Sequence, residues 1–210
     1  MKDIISITNT ESKVLYTFAR NYNQKVSILQ LSKQLKIHYP NIYKTVKKLE
    51  KKEILKLQTI GKASICSLNI NSRELAVYLA FVEELKANEY MNEFPFLKRI
   101  IEQANKISQI NCIGIFGSHV IKKATRNSDI DLFILTDNIK EYKDFIPKYF
   151  PELENKIDLN IISFKEFIES LKNQEQLTIS TEINKNKIII TGAEIFYQIL
   201  QGINNERYRL

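Results

Sequence analysis

Residues 114–135 read GIFGSHVIKKATRNSDIDLFIL: an apolar run, a Gly117-Ser118 break, ten intervening residues, then a second apolar run holding two acids. Apolar runs of four to eight residues bounded by turn signals suit a strand buried on both faces. On a strand, residues two apart project to one face, so Asp129 and Asp131 point together. Like charges a few ångströms apart in a low-dielectric sheet repel, and each is costly to desolvate. A fold that keeps such a pair places a cation between the carboxylates, and Mg²⁺ (or Mn²⁺) suits all-oxygen ligands. A third acid interrupts another apolar run, Asp158 in KIDLNIIS. If those strands are neighbours, three carboxylates converge, enough to hold two divalent ions for in-line phosphoryl transfer.

Gly117 permits a sharp turn after the first run and a close approach of the backbone to a phosphate. The N–H groups and the Ser118 hydroxyl that follow are donors for phosphate oxygens, with Lys122, Lys123 and Arg126 adding positive charge. No G-x-x-x-x-G-K-[ST] is present, which excludes a P-loop.

The GS, ten residues, then DID resembles the signature of the DNA polymerase beta nucleotidyltransferase superfamily, and SDIDLFIL resembles its minimal branch. The resemblance covers residues of about 95–200. It implies that Asp129, Asp131 and Asp158 are the catalytic metal ligands, Asp158 also helping to activate the acceptor hydroxyl. It implies a nucleotide-binding set of Gly117, Ser118, Lys122 and Ser128. The reaction would be attack of an acceptor hydroxyl on the α-phosphorus of ATP or another NTP, with pyrophosphate leaving. Minimal members have a small-basic-glycine run soon after the GS, where this chain has Val120-Ile121-Lys122-Lys123. His119 reads as a surface histidine at a helix start.

Around this segment, INCIGIFG (110–117), DIDLFILT, KIDLNIIS and KNKIIITG read as strands. IKEYKDFIPKYF, SFKEFIESLKNQ (163–174, Ser163 as cap) and AEIFYQILQGI read as helices. The result is a small sheet with packed helices.

The first part of the chain has a different charge. Residues 1–70 carry 13 Lys/Arg against four Asp/Glu, and residues 71–210 carry 18 against 20, within a net +7. Such asymmetry suggests two modules, the first facing a polyanion. Helices are expected over ESKVLYTFARN with Thr10 as cap, over SILQLSKQL with Ser27 as cap and Ile28, Leu29, Leu31 and Leu35 inward, and over PNIYKTVKKLEKK. A hairpin reversing at Gly61-Lys62 follows. In the third helix Ile42, Val46 and Leu49 share one face, and Lys44, Lys47, Lys48 and Lys51 the other. Three helices and a hairpin make the winged helix-turn-helix order, and IYKTVKKLEKKEIL resembles MarR/ArsR-like regulators. The expected DNA contacts are Tyr39, Asn41, Tyr43, Lys44, Lys47, Lys48 and Lys62.

The fold expected is therefore α+β (mixed α/β), with a winged helix over 1–70 and a nucleotidyltransferase domain over 95–210. A helix capped by Ser72 within 71–94 serves either as linker or as homodimer interface. Cys66 and Cys112 sit among aliphatic residues and read as small buried hydrophobes; no Cys/His spacing suits zinc. No apolar run reaches a membrane span and MKDIISITNT lacks a signal-peptide core, so a cytoplasmic location is expected. Two functions fit: a transferase targeted by its winged helix, or a regulator that senses nucleotide without turnover. Minimal nucleotidyltransferases resemble antitoxins that adenylylate a HEPN-type toxin. That partner would be a separate chain, because no Arg-x(4–6)-His ribonuclease motif occurs here. Small-molecule or RNA-end acceptors stay open.

Overall fold

The computed structural model describes residues 6–108, 111–125, 128–173 and 178–204. Arg126, Ile110 and Gln174, which the sequence placed in the phosphate cradle, a strand and a helix, lie outside these. The chain divides into two compact units, Met1–Val82 with Leu200–Leu210, and Glu83–Ile199.

In the first unit, α1 (Asn9–Arg20), α2 (Ile28–Leu35) and α3 (Tyr39–Lys51) precede a hairpin of β2 (Leu55–Ile60) and β3 (Ala63–Leu68), with short β1 (Val26–Ser27) on the far side of β3. All pairings are antiparallel and register Leu57 with Cys66 and Val26 with Cys66. This is the winged helix arrangement. α1 starts earlier than expected: Thr8, not Thr10, is the cap, because Glu11 three residues on completes a capping box with it. Ser27 caps α2 with Gln30 in the same way. The break after α2 is closed by Lys36, at φ 54, whose N–H donates to Lys33 and Ser32 carbonyls. Ile42, Val46 and Leu49 are fully buried, as are Ile28 and Leu31, whereas Leu29 is exposed rather than inward. Helical spacing explains this, since Leu29 is one residue, about 100° of turn, from the Ile28 face. Cys66 is buried and free, and burial pushes its thiol up to about 12.

Glu11 joins α1 to α3. Its carboxylate accepts from the Thr8 N–H at 2.7 Å and lies 3.2 Å from Lys48 Nζ and 3.7 Å from Lys52 Nζ, with the residue only 1% exposed. Oε1, the oxygen facing the lysines, has charge contacts but no well-angled hydrogen bond. Burial by itself would raise this carboxyl, but the Thr8 backbone and hydroxyl bonds and the two lysines together hold it below its ordinary value. A depressed carboxylate stabilises the fold above its unfolded pKa, and that stability is lost as pH falls through the folded one. Glu11→Gln is therefore expected to lower the melting midpoint at neutral pH and to flatten the acid limb of the stability profile below about pH 4.3. Thermal melts across pH test both.

In the second unit, β4 (Cys112–Phe116), β5 (Ile130–Leu135), β6 (Ile157–Ile162) and β7 (Lys187–Thr191) form one sheet of order β6-β5-β4-β7. β4 is antiparallel to β5 and β7, and β6 is parallel to β5. One face carries Ile113, Ile115, Leu132, Ile134 and Ile188 into a core with Leu97, Ile100 and Ala104 of α5 (Phe96–Ile107). On the opposite face Phe133 packs across Gly114, where an added Cβ would fall 2.6 Å from the ring. That face also carries Lys187. It is buried, donates to the Asn184 carbonyl, and lies 4.9 Å from the Phe196 ring. Glu83, on α4 (Leu75–Glu93), is buried as well and accepts from Tyr197 Oη–H at 2.6 Å and the Ile189 N–H at 3.3 Å. Ser72 stands three residues before α4 begins and is not its adjoining cap.

The remaining helices differ from expectation in two places. IKEYKDFIPKYF forms two short helices, α7 (Ile139–Tyr142) and α8 (Phe145–Tyr149), instead of one. Pro147 has no N–H for the Lys143 carbonyl, and its ring disfavours a continuous helix at that turn. α9 (Phe164–Lys172) is capped by Ser163 as expected. α10 (Ile179–Lys185), with Thr178 and Thr181 as its capping box, was not anticipated, and α11 (Ala193–Asn204) follows β7. No helix among the described residues is long and apolar enough to cross a membrane.

Candidate functional site

β4 ends at Gly117, whose φ of 70° turns the backbone into α6 (Gly117–Val120). That conformation belongs to glycine, and the space does too: an added Cβ would stand 2.2 Å from Oδ2 of Asp131. The Asp131 carboxylate thus lies directly on the glycine, where it accepts from the Ser118 backbone N–H.

β5 and β6 are neighbours, and their parallel register sets Asp131 opposite Asp158. Directly paired residues of adjacent strands share a face, so these two carboxylates point the same way. Partial burial raises the Asp131 carboxyl above its ordinary value, the Asp158 charge raises it further, and the Ser118 N–H and His119 act in the opposite direction. A cation between the two acids would relieve both causes, so this pair fits a hard divalent ion.

Asp129 is placed differently. It is exposed and lies one residue ahead of β5, outside the ladder. Among the described residues no three His, Cys, Asp or Glu side chains stand together as a ready metal cluster. The structure therefore joins Asp131, Asp158, Gly117 and Ser118, and leaves Asp129 at the rim.

The other expected nucleotide contacts follow α6. Lys122 is exposed and takes φ 57°, the left-handed conformation a glycine would favour, so the turn after α6 is kept without glycine. The Ser128 hydroxyl accepts from the Thr125 N–H at 2.9 Å and lies 3.1 Å from Thr125 Oγ1. His119 is half-buried, not a free surface residue, with Nε2 3.3 Å from the Ser128 carbonyl and its ring edge-on to Phe94. Sequence reasoning passed over Lys156. It stands in the turn just before β6, two residues ahead of Asp158, and its carbonyl accepts from the Ile130 N–H at 2.9 Å. Its nearness to Asp158 along the chain was the available signal.

In the first unit the α3 surface is in part as expected. Tyr39 and Tyr43 are 42% and 41% exposed, with ring centroids 6.2 Å apart, and Asn41 and Lys44 are exposed near them. Lys62 is exposed at the hairpin tip beside Gly61. Lys47 is paired with Glu50, and Lys48 reaches back to Glu11.

Residues 98–195 match the family model described as polymerase beta, nucleotidyltransferase. A comparison with curated proteins finds no match. Solved structures with similarity to the chain include ZitR of Lactococcus lactis, in a mutant form (19% identity, 52% of this chain and 73% of that one, TM-score 0.38). Others are the adhesin competence repressor AdcR of Streptococcus pyogenes (18% identity, 50% and 79% covered, TM-score 0.35) and the transcriptional regulator BldR of Sulfolobus solfataricus (16% identity, 50% and 75% covered, TM-score 0.36).

Proposed function

From the match of residues 98–195 to the polymerase beta nucleotidyltransferase model, we propose that this chain transfers an NMP, with ATP as the first donor to test, to an acceptor hydroxyl. The observation that carries the reading is the in-register Asp131–Asp158 pair beside Gly117-Ser118. Asp131, Asp158 and, from the rim, Asp129 would hold Mg²⁺ or Mn²⁺, which supplies charge neutralisation for a triphosphate.

The chain's own residues do the rest. Asp158 is the group assigned to the acceptor's proton, a role supported by its exposure on the edge strand β6. The acceptor oxygen forms a bond to the α-phosphorus as the α–β bridging P–O bond breaks and pyrophosphate departs. Gly117, Ser118, Lys122 and Ser128 are the groups assigned to the triphosphate, with positioning and charge complementarity supplying most of the rate. A protein acceptor of the HEPN-type toxin class is the partner this reading favours.

The test is incubation with α-labelled ATP, Mg²⁺ and co-purifying proteins or RNA. Label on an acceptor that vanishes with Asp129→Ala/Asp131→Ala supports transfer. Saturable ATP binding with no label on any protein, RNA or small molecule would leave a nucleotide sensor instead.

The first unit is proposed to bind DNA through α3 and the hairpin tip, supported by the exposed Tyr39, Asn41, Tyr43 and Lys44 and by its charge. Lysines already paired within the unit have less to give a phosphate. Lys44→Ala and Lys62→Ala are each expected to reduce the salt slope of DNA affinity by about one. Lys48→Ala is expected to act mainly on melting temperature, through Glu11. Gel shifts over a salt series, with thermal melts, separate the two.

A further inference from the structure

Asp131 and Asp158 owe their alignment to the ladder between β5 and β6, which does not extend to Asp129. Its carboxylate position depends on the two residues that flank it. On the downstream side, the Ile130 N–H joins the Lys156 carbonyl. On the upstream side, Ser128 makes a local turn: its N–H donates to the Thr125 carbonyl at 3.1 Å and its hydroxyl takes up the Thr125 N–H.

Among the described residues, His119 links Ser128 to the rest of the site. Nε2 lies 3.3 Å from the Ser128 carbonyl, and a carbonyl only accepts, so Nε2 carries the proton and donates. The ring belongs to α6 and is steadied edge-on by Phe94 at 5.8 Å. The same short helix donates the Ser118 N–H to Asp131. One element therefore holds Asp131 directly and the stem of Asp129 through His119.

We propose that His119 is a positioning residue of the acid plate formed by Asp131 and Asp158, whose hydrogen bond to the Ser128 carbonyl fixes the backbone from which Asp129 serves that plate from the rim. It acts through the backbone and touches no reacting atom. The proposal rests on the reading of the plate as a divalent-ion site. Groups that orient metal ligands from behind typically change metal affinity by about 10–100-fold when removed.

The experiment is Mn²⁺ binding to the full chain, followed by electron paramagnetic resonance of the free ion, with melting midpoints measured alongside. His119→Phe keeps a ring against Phe94 and removes the donor. His119→Gln places an amide N–H near the position of Nε2. Asp131→Ala is the control for the plate. Wild type is expected to bind Mn²⁺ and Asp131→Ala to lose it. His119→Phe should bind about tenfold more weakly, and His119→Gln should return close to wild type, with both variants folded. Rescue by Gln is what a purely packing role for the ring would not give. The proposal is overturned if His119→Phe binds like wild type while Asp131→Ala does not, or if His119→Gln is as weak as His119→Phe. Absence of Mn²⁺ binding in wild type would overturn the divalent-ion reading itself, and this inference with it.

Discussion

Asp131→Ala is expected to reduce nucleotidyl transfer by roughly 10³-fold or more, because it removes a proposed ligand of the divalent ion that would neutralise charge at the reacting phosphates. The carboxylate lies against Gly117, accepts from the Ser118 N–H and stands opposite Asp158. Its effect on stability should have the opposite sign. Burial first, and then the Asp158 charge, raise this carboxyl. A carboxyl raised in the fold contributes stability below its unfolded pKa, and that stability is lost as pH rises through the folded one. Without divalent ion, Asp131→Asn should therefore melt higher than wild type at neutral pH, with the difference vanishing in acid. The amide oxygen still accepts from the Ser118 N–H, so the local turn survives. An inactive Asn variant that melts lower than wild type at neutral pH would contradict this account of the plate.

Gly117→Ala should be nearly as damaging to transfer and should also destabilise the fold. A non-glycine residue in the left-handed region costs about 1–2 kcal/mol. Here the new methyl would also stand 2.2 Å from Asp131 Oδ2, so the carboxylate must move away from Asp158's register partner position. Gly61 provides the control. It has a similar φ of 58°, but no atom lies within 4 Å of an added Cβ. Gly61→Ala should show the backbone cost alone and leave transfer and Mn²⁺ binding intact. Melting curves and ion titrations on both variants separate conformational strain from displacement of the acid. Equal ion affinity in wild type and Gly117→Ala would show that the contact with Asp131 is unimportant.

Much of the fold was legible because its signals are local. Ser27 and Ser163 cap the helices expected of them, and Gly61-Lys62 reverses the wing. Where local signals compete, reading by pattern failed. Thr8 and Thr10 both stand near the start of the first helix, and Glu11 chose Thr8 through the capping box, which places Thr10 inside α1. Pro147 looked tolerable within an amphipathic stretch, but the stretch divides at Asp144. Leu29 was counted inward from its hydrophobicity, though its neighbours Ile28 and Leu31 had already taken the buried face. α10 was missed because its seven residues carry little periodicity. Lys48 looked like a free phosphate contact, since nothing in the α3 sequence announces a buried Glu11 from another helix.

The candidate site divides along the same line. Period-two spacing along an apolar run pointed to Asp131 as a carboxylate on a strand face, but it also counted Asp129 into that strand, which begins only at Ile130. The Gly117-Ser118 pair likewise marked the end of β4 without reference to anything distant. Only the tertiary structure decided that β6 lies beside β5, in parallel, with Asp158 opposite Asp131. Register between strands separated by a crossover is set by which apolar faces pack, and that information is spread over α5, α7, α8 and the sheet. Tertiary structure also decided that His119 turns to the Ser128 carbonyl. A single histidine carries no periodic signal, and its partner is fixed only when α6 and the turn before β5 come together.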